Sequence, residues 1–215
     1  MEIIYSSIFA YLVGSIPTAY LIGRVFFGFD IRKKGTGNMG ASNMVSVKGW
    51  KIGILTGAID FMKGMGTILI LKGVMPHWNY QILFMAATFA TIGHMYPVFL
   101  KFKGGKGTAT LAGGLIGLDY QVALICMTIL LVFLALTDHA APGVIAVSTV
   151  MIFLYRLFGY RWGVSLLLVP IAILMIGRNF ENLHKISSGS ETGLKAHIRK
   201  KRMEREKSQD NQAGL

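Results

Sequence analysis

Two stretches of this chain gather residue types suited to holding a phosphate. The first, residues 35–43, reads GTGNMGASN. Its glycines, Gly35, Gly37 and Gly40, let backbone N–H groups turn toward an anion at close range. Thr36, Asn38, Ser42 and Asn43 add neutral donors, and Arg32, Lys33 and Lys34 add charge just upstream. No Gly-Lys-Ser/Thr follows, so this is not a Walker A loop. The plainer alternative is a tight Gly/Asn turn with nothing bound. The second stretch, residues 94–110, reads HMYPVFLKFKGGKGTAT. Gly104, Gly105 and Gly107 surround Lys106, with Lys101 and Lys103 nearby. A helix starting there would add the positive end of its dipole. The alternative is a basic membrane-edge turn with snorkelling lysines.

Other groups lie where charge is costly. Asp60 and Lys63 sit three apart in an apolar run, so they share a helix face. Ionisable groups at that depth usually face the protein interior. They pair with each other or support a polar cavity. Gly57, Gly64 and Gly66 in the same run permit close helix packing. Further on, Arg178, Glu181 and Asn182 fall within about one helical turn. They read as an ordinary polar helix end or as a third part of the site. His94 taken alone reads as a core histidine. No His, Cys and carboxylate cluster has metal-ligand spacing, so no metal is expected. Serine nucleophile contexts such as GxSxG are absent.

Composition sets what must position these residues. The chain has 215 residues, of which 53% are hydrophobic and 15% charged. Its mean hydropathy is +0.54. That excludes disorder for most of its length, and one cysteine, Cys126, excludes a disulfide scaffold. Apolar runs near bilayer length fall at 3–27, 52–71, 81–100, 108–118, 122–136, 143–154 and 162–177. The expected class is therefore all-α, a polytopic membrane protein with seven transmembrane helices. The fourth and sixth runs are short for a full span. The first lacks the basic start of a cleaved signal peptide.

The formal charge is +12. In a seven-span arrangement the loops at 28–51 and 101–107 and the tail after residue 177 lie on one side and carry most of the Lys and Arg. Positive charge marks the cytoplasmic side, so the N terminus is expected outside and the C terminus in the cytoplasm. Basic residues placed beside spans make nucleic acid an unlikely partner. Residues 1–194 form the expected membrane domain. Residues 195–215 read as a basic, disordered cytoplasmic tail or a segment drawn to anionic lipid. The sequence specifies no oligomeric state.

At these motifs the chain resembles a known family, the bacterial membrane acyltransferases of the PlsY type. GTGNMGASN resembles the family's GSGNxGATN. Residues 94–110 resemble its HxxPxFxxFKGGKGVAT nearly letter for letter. Residues 178–191 resemble its RHxENxxRLxxGxE more loosely. Gly14 to Pro17 and the Asp60, Lys63, Gly64 pattern also fit.

The resemblance implies a multi-pass enzyme of the bacterial cytoplasmic membrane with its site on the cytoplasmic side. It implies transfer of a fatty acyl group from acyl-phosphate to glycerol 3-phosphate, giving lysophosphatidic acid and phosphate, with no cofactor. Lys106 with Lys101, Gly104, Gly105, Gly107 and Arg178 would hold one phosphate. Gly35, Thr36, Gly37, Asn38, Gly40, Ser42 and Asn43 would hold the other. Glu181 and Asn182 would orient the acceptor, and Asp60, Lys63 and His94 would support the site. The acyl chain would lie between spans, in contact with membrane lipid.

Departures from the family pattern are specific. Thr36 and Ser42 exchange the usual hydroxyl residues. The usual arginine after the first motif is missing, and only Lys48 is near. Asn179 and Phe180 stand where basic residues are usual. In the loop after the fifth span a customary serine aligns with Ala141, beside His139. These support an alternative, a non-catalytic paralogue that binds a phosphorylated lipid or metabolite. A small transporter ranks last, because the internal repeat common in transporters is absent.

Overall fold

Pro17 decides where the first helix stops. Proline removes an N–H and disfavours helix at the residue before it. Helix α1 therefore covers Glu2–Gly14, and α2 resumes at Thr18–Phe27. The computed structural model describes residues 1–190 and 193. After α2 come α3 (Ala41–Lys48), α4 (Trp50–Val74), α5 (Tyr80–Met95) and α6 (Thr108–Leu118). Then follow α7 (Tyr120–Thr137), α8 (Ala140–Leu157), α9 (Trp162–Ser165) and α10 (Val169–Ser187). Among the described residues there is no strand, so the chain is all-α.

Six helical segments are long and apolar enough to cross a membrane: Glu2–Phe27, Trp50–Val74, Tyr80–Leu100, Tyr120–Thr137, Ala140–Leu157 and Trp162–Ser187. The expected fourth span is a shorter apolar helix, Thr108–Leu118, about 16 Å long. The expected sixth span is longer than its sequence run. It begins at Ala140, since Pro142 fits a first helical turn, and it continues past Arg156 to Leu157. Arg156 reaches the Trp162 ring, 5.9 Å from its centroid. The expected tail, 195–215, lies outside the described residues.

Glycines let two helix pairs touch backbone to backbone. A Cβ on Gly64 of α4 would strike the Thr110 carbonyl of α6, and one on Gly113 would strike Phe61. Gly14 of α1 meets Ala90 of α5, and Gly93 meets Tyr11. Close approach of this kind gains dispersion contacts that lipid cannot supply. The main core gathers Phe84, Leu111, Leu115, Met151, Leu168 and Met175 between α5, α6, α8 and α10. A smaller core of Ala19, Ile22, Ile31, Met39, Met44 and Leu100 fixes both glycine-rich loops to α2 and α3.

The ends of α6 define two faces. Its start lies at the second glycine-rich loop. Its far end carries Asp119, whose carboxylate accepts a 2.9 Å bond from the Tyr160 hydroxyl. Lys72, at the far end of α4, donates to the Gly117 carbonyl at 2.7 Å.

Candidate active site

The first loop is built around Asn43. Its Oδ1 accepts from the Thr36 N–H at 2.9 Å. Its Nδ2 donates to the carbonyls of Lys34 (3.0 Å), Asn38 (2.8 Å) and Ile31 (3.4 Å). Gly35 and Gly37 have φ of 56° and 73°, which the tight loop requires and side chains resist. Asn43 is buried, and both ends of its amide are engaged within the protein. The expectation that it offers a donor to phosphate is therefore corrected: it shapes the loop. Thr36 and Ser42 are exposed, and Asn38 and Gly40 are half-buried. Just upstream, Arg32 grips the buried Asp30 through Nε (3.0 Å) and Nη2 (2.7 Å). That hydrogen bond, opposed by burial, holds the Asp30 carboxyl below the usual carboxylate range.

The second loop is held by its neighbours. The Gly105 N–H donates to the His94 carbonyl at 3.1 Å. A Cβ on Gly104 would strike the His94 and Met95 carbonyls, and one on Gly105 would strike the His94 ring. Arg178 reaches across from α10, and its Nη2 donates to the carbonyls of Met95 (3.3 Å), Gly104 (3.2 Å) and Gly105 (3.0 Å). Its guanidinium also lies 5.3 Å from the Tyr96 ring centroid. Arg178 was expected to bind phosphate. In the structure its Nη2 braces the loop from backbone oxygen, while its buried Nε has no hydrogen-bond partner among the described residues. Lys101 is exposed on a left-handed turn, φ 54°. Lys106 is half-buried, and Gly107 stands immediately before α6.

Asp60, Lys63 and His94 come together beneath this loop. The Asp60 Oδ1 accepts from the Thr18 hydroxyl at 2.7 Å. It lies 3.0 Å from Lys63 Nζ and 3.4 Å from His94 Nδ1. Lys63 also donates to the Ile16 carbonyl at 2.9 Å. On α10, Glu181 is exposed and paired with Lys185. It lies within electrostatic reach of Lys106. Asn182 is half-buried. Asn179 is turned inward, and its Nδ2 donates to the Met175 carbonyl at 2.9 Å. Ala141 is buried in the first turn of α8, and Phe180 is exposed. Among the described residues no group of three His, Cys, Asp or Glu is placed to hold a metal.

Two cavities flank the second loop. Arg32, Gly37, Met39, Lys103 and Gly104 line a crevice of about 310 Å³ open to solvent. The crevice joins the two glycine-rich loops. A small apolar cavity of about 30 Å³ lies between α6, α7, α8 and α10. Thr108 and Met175 line it at the loop end, and Leu115, Ala123 and Ser148 line it farther in. Sequence reasoning missed Thr18, Asp30, Met39 and Tyr96. The Asp-x-Arg spacing at 30–32 was the available sign for one of them. The others are brought in only by tertiary packing.

Comparisons with known proteins point to one family. The family model described as glycerol-3-phosphate acyltransferase matches residues 4–189. Glycerol-3-phosphate acyltransferase 1 of Oceanobacillus iheyensis is 33% identical over 208 residues, covering 94% of this chain and 99% of that one. Glycerol-3-phosphate acyltransferase of Ehrlichia ruminantium is 38% identical over 187 residues, covering 87% and 94%. A crystal structure of PlsY, an integral membrane glycerol 3-phosphate acyltransferase, in its glycerol 3-phosphate form superposes with a TM-score of 0.81. It is 31% identical and covers 90% of this chain and 96% of that one. The lysophosphatidic acid form gives 0.79 over 90% and 95%, again at 31% identity.

Proposed function

The chain belongs to the glycerol-3-phosphate acyltransferase family, and from that premise we propose how its own site serves the reaction. The protein is an integral membrane acyltransferase of phospholipid synthesis. It acylates glycerol 3-phosphate to lysophosphatidic acid. The donor we assign is acyl-phosphate.

One observation carries the assignment of substrates to places. Gly104 lines the polar crevice and Thr108 lines the apolar cavity. Lys106 stands between them in the chain. An amphipathic donor can lay its alkyl chain along the apolar seam of α6, α7, α8 and α10 that this small cavity marks, with its phosphate beside Lys106 and the start of α6. Glycerol 3-phosphate, which has no apolar part, enters by the crevice. There Arg32, Lys103 and the backbone of Gly37 and Met39 offer donors, with Thr36, Asn38 and Ser42 close by in the chain. Glu181 and Asn182 approach from α10 to orient the acceptor.

The acceptor hydroxyl oxygen attacks the acyl carbonyl carbon. The bond between that carbon and the phosphate oxygen breaks, and phosphate leaves with the electron pair. The hydroxyl proton passes to a phosphate oxygen. The protein's task is to hold two anions together and to stabilise charge as it develops. No metal or cofactor is needed for that balance.

The paired loops, the end of α10 and the far contacts of α6 support seven crossings with both loops cytoplasmic. The N terminus would then be outside, in the bacterial cytoplasmic membrane. The amide of Asn179 is turned inward and Ala141 is buried, and neither lines the crevice. That weighs against a non-catalytic paralogue.

The test uses purified protein in detergent with acyl-phosphate and glycerol 3-phosphate. Lysophosphatidic acid and phosphate should appear in equal amounts. Absence of both products at high enzyme concentration would defeat the proposal.

A further inference from the structure

Asp60 belongs to neither loop, yet its polar neighbours tie together the elements that carry them. Thr18 opens α2, which leads into the first loop. His94 closes α5, which leads into the second. Lys63 holds the Ile16 carbonyl at the break before Thr18. Asp60 itself is 1% exposed. We propose that Asp60 is a positioning residue: acting through His94, it fixes the floor of the second glycine-rich loop and so sets where Lys106 stands relative to the first loop. This rests on the acyltransferase reading above.

His94 has two contacts with the loop, and Asp60 governs one of them. Its carbonyl accepts the Gly105 N–H. Its ring lies under Gly105, with the Nε2 edge where a Cβ on that glycine would fall. Rotation of the ring would therefore disturb the loop directly. Nδ1, on the opposite side of the ring, faces Asp60 Oδ1. One carboxylate oxygen thus orients donors from α2, α4 and α5 together. An ion at this depth is costly to bury, and apolar packing could fill the same volume without that cost. Directional control of three helices is what a carboxylate adds.

Substitutions graded in severity test this. Asp60→Asn removes the charge and should lower kcat about 100-fold, the scale on which small misplacements act. Thr18→Val removes one donor at nearly constant size and should lower kcat several-fold, whereas Thr18→Ser should restore it. Combining Thr18→Val with Lys106→Arg should cost less than the product of the single losses, because both act through the placement of one ammonium group. Unchanged kcat in folded Asp60→Asn, or strictly multiplicative losses in the double variant, would overturn the proposal. If Asp60→Asn fails to accumulate, the Thr18 pair and the double variant decide.

Hydrogen exchange gives a reading independent of turnover. Amides of residues 96–107 should exchange faster in the Thr18→Val and Asp60→Asn proteins, with residues 35–43 unchanged. Equal exchange in the second loop would also overturn the assignment. An inactive wild-type protein whose exchange still responds in this way would refute the acyltransferase reading and leave the positioning role standing.

Discussion

In the first glycine-rich loop one side chain from the loop's own end does the holding. Asn43 reaches back over residues 31–38 and satisfies four backbone groups with one amide. The second loop has no such residue. Its carbonyls are bound by Arg178 from α10, its Gly105 N–H is bound by the end of α5, and the His94 ring lies beneath it. The first is a local fold that can form from contiguous sequence. The second closes locally on the end of α5 as well, through the Gly105 N–H and the His94 carbonyl, but it is complete only when Arg178 of α10 has docked. Damage to the first should stay near it, and damage to the second should arrive from a distance.

Several substitutions would break or sharpen that contrast. Lys106→Ala should have the largest effect, lowering kcat/KM by about a thousand-fold, the upper range for loss of one charge-stabilising group. Retention of activity within ten-fold would remove the second loop from the site. Gly105→Ala places a methyl group into the His94 ring. It should lower activity about 100-fold and stability by about 1–3 kcal/mol, as overpacking does, seen as a lower thermal midpoint in detergent.

Arg178→Lys keeps the charge but loses the planar fork. A strut should fail with it, by about ten-fold in kcat by analogy with outer-shell partners. A simple phosphate counter-charge would tolerate the exchange. Asn43→Ala strips the first loop of its brace and leaves buried carbonyls unpaired, at about 1–3 kcal/mol. Hydrogen exchange should then rise in residues 31–43 and not in 96–107, and a rise in both would end the contrast.

The smallest effect concerns Asp30. Its carboxyl is held below the usual range by Arg32. The stability it contributes is therefore complete above the ordinary carboxylate pKa and is lost as pH falls through the lowered value. Asp30→Asn should flatten that acid limb of a melting-temperature profile and leave neutral pH behaviour nearly unchanged.

The helices and both loops were legible because their signals are local. Apolar runs mark the spans, and Gly35, Gly37 and Gly104 to Gly107 mark backbone turned to special use. The Asp60 and Lys63 spacing correctly placed both on one helix face. Less legible were roles set by partners remote in sequence. Arg178 beside Glu181 and Asn182 gives no sign in the sequence that its Nη2 reaches three carbonyls at the second loop. Thr18 gives no sign in its own neighbourhood, since its partner is 42 positions away. Asn43 looked like a free donor because nothing in a string of letters shows that four groups close on it. The length of α8 was misjudged for a simpler reason: a proline in the first turn and an arginine in the last both look like boundaries, yet a helix accommodates each.

The shortness of α6 has a consequence for access. Gly64 of α4 lies beside Thr110, and Lys72 lies beside Gly117, so the two helices run in parallel. Helix α4 begins at Trp50, which is twelve residues and about 18 Å before the level of Thr108. Lys106 thus stands below the level at which α4 begins, next in the chain to a crevice that is lined by Arg32, Gly37, Met39, Lys103 and Gly104 and open to solvent. Walls that carry positive charge raise the local concentration of small anions. A small dianion would be steered inward by Arg32 and Lys103, its arrival would slow as ionic strength rises, and the ester made there would form below the mouth of the bundle, with its tail beside the apolar helices.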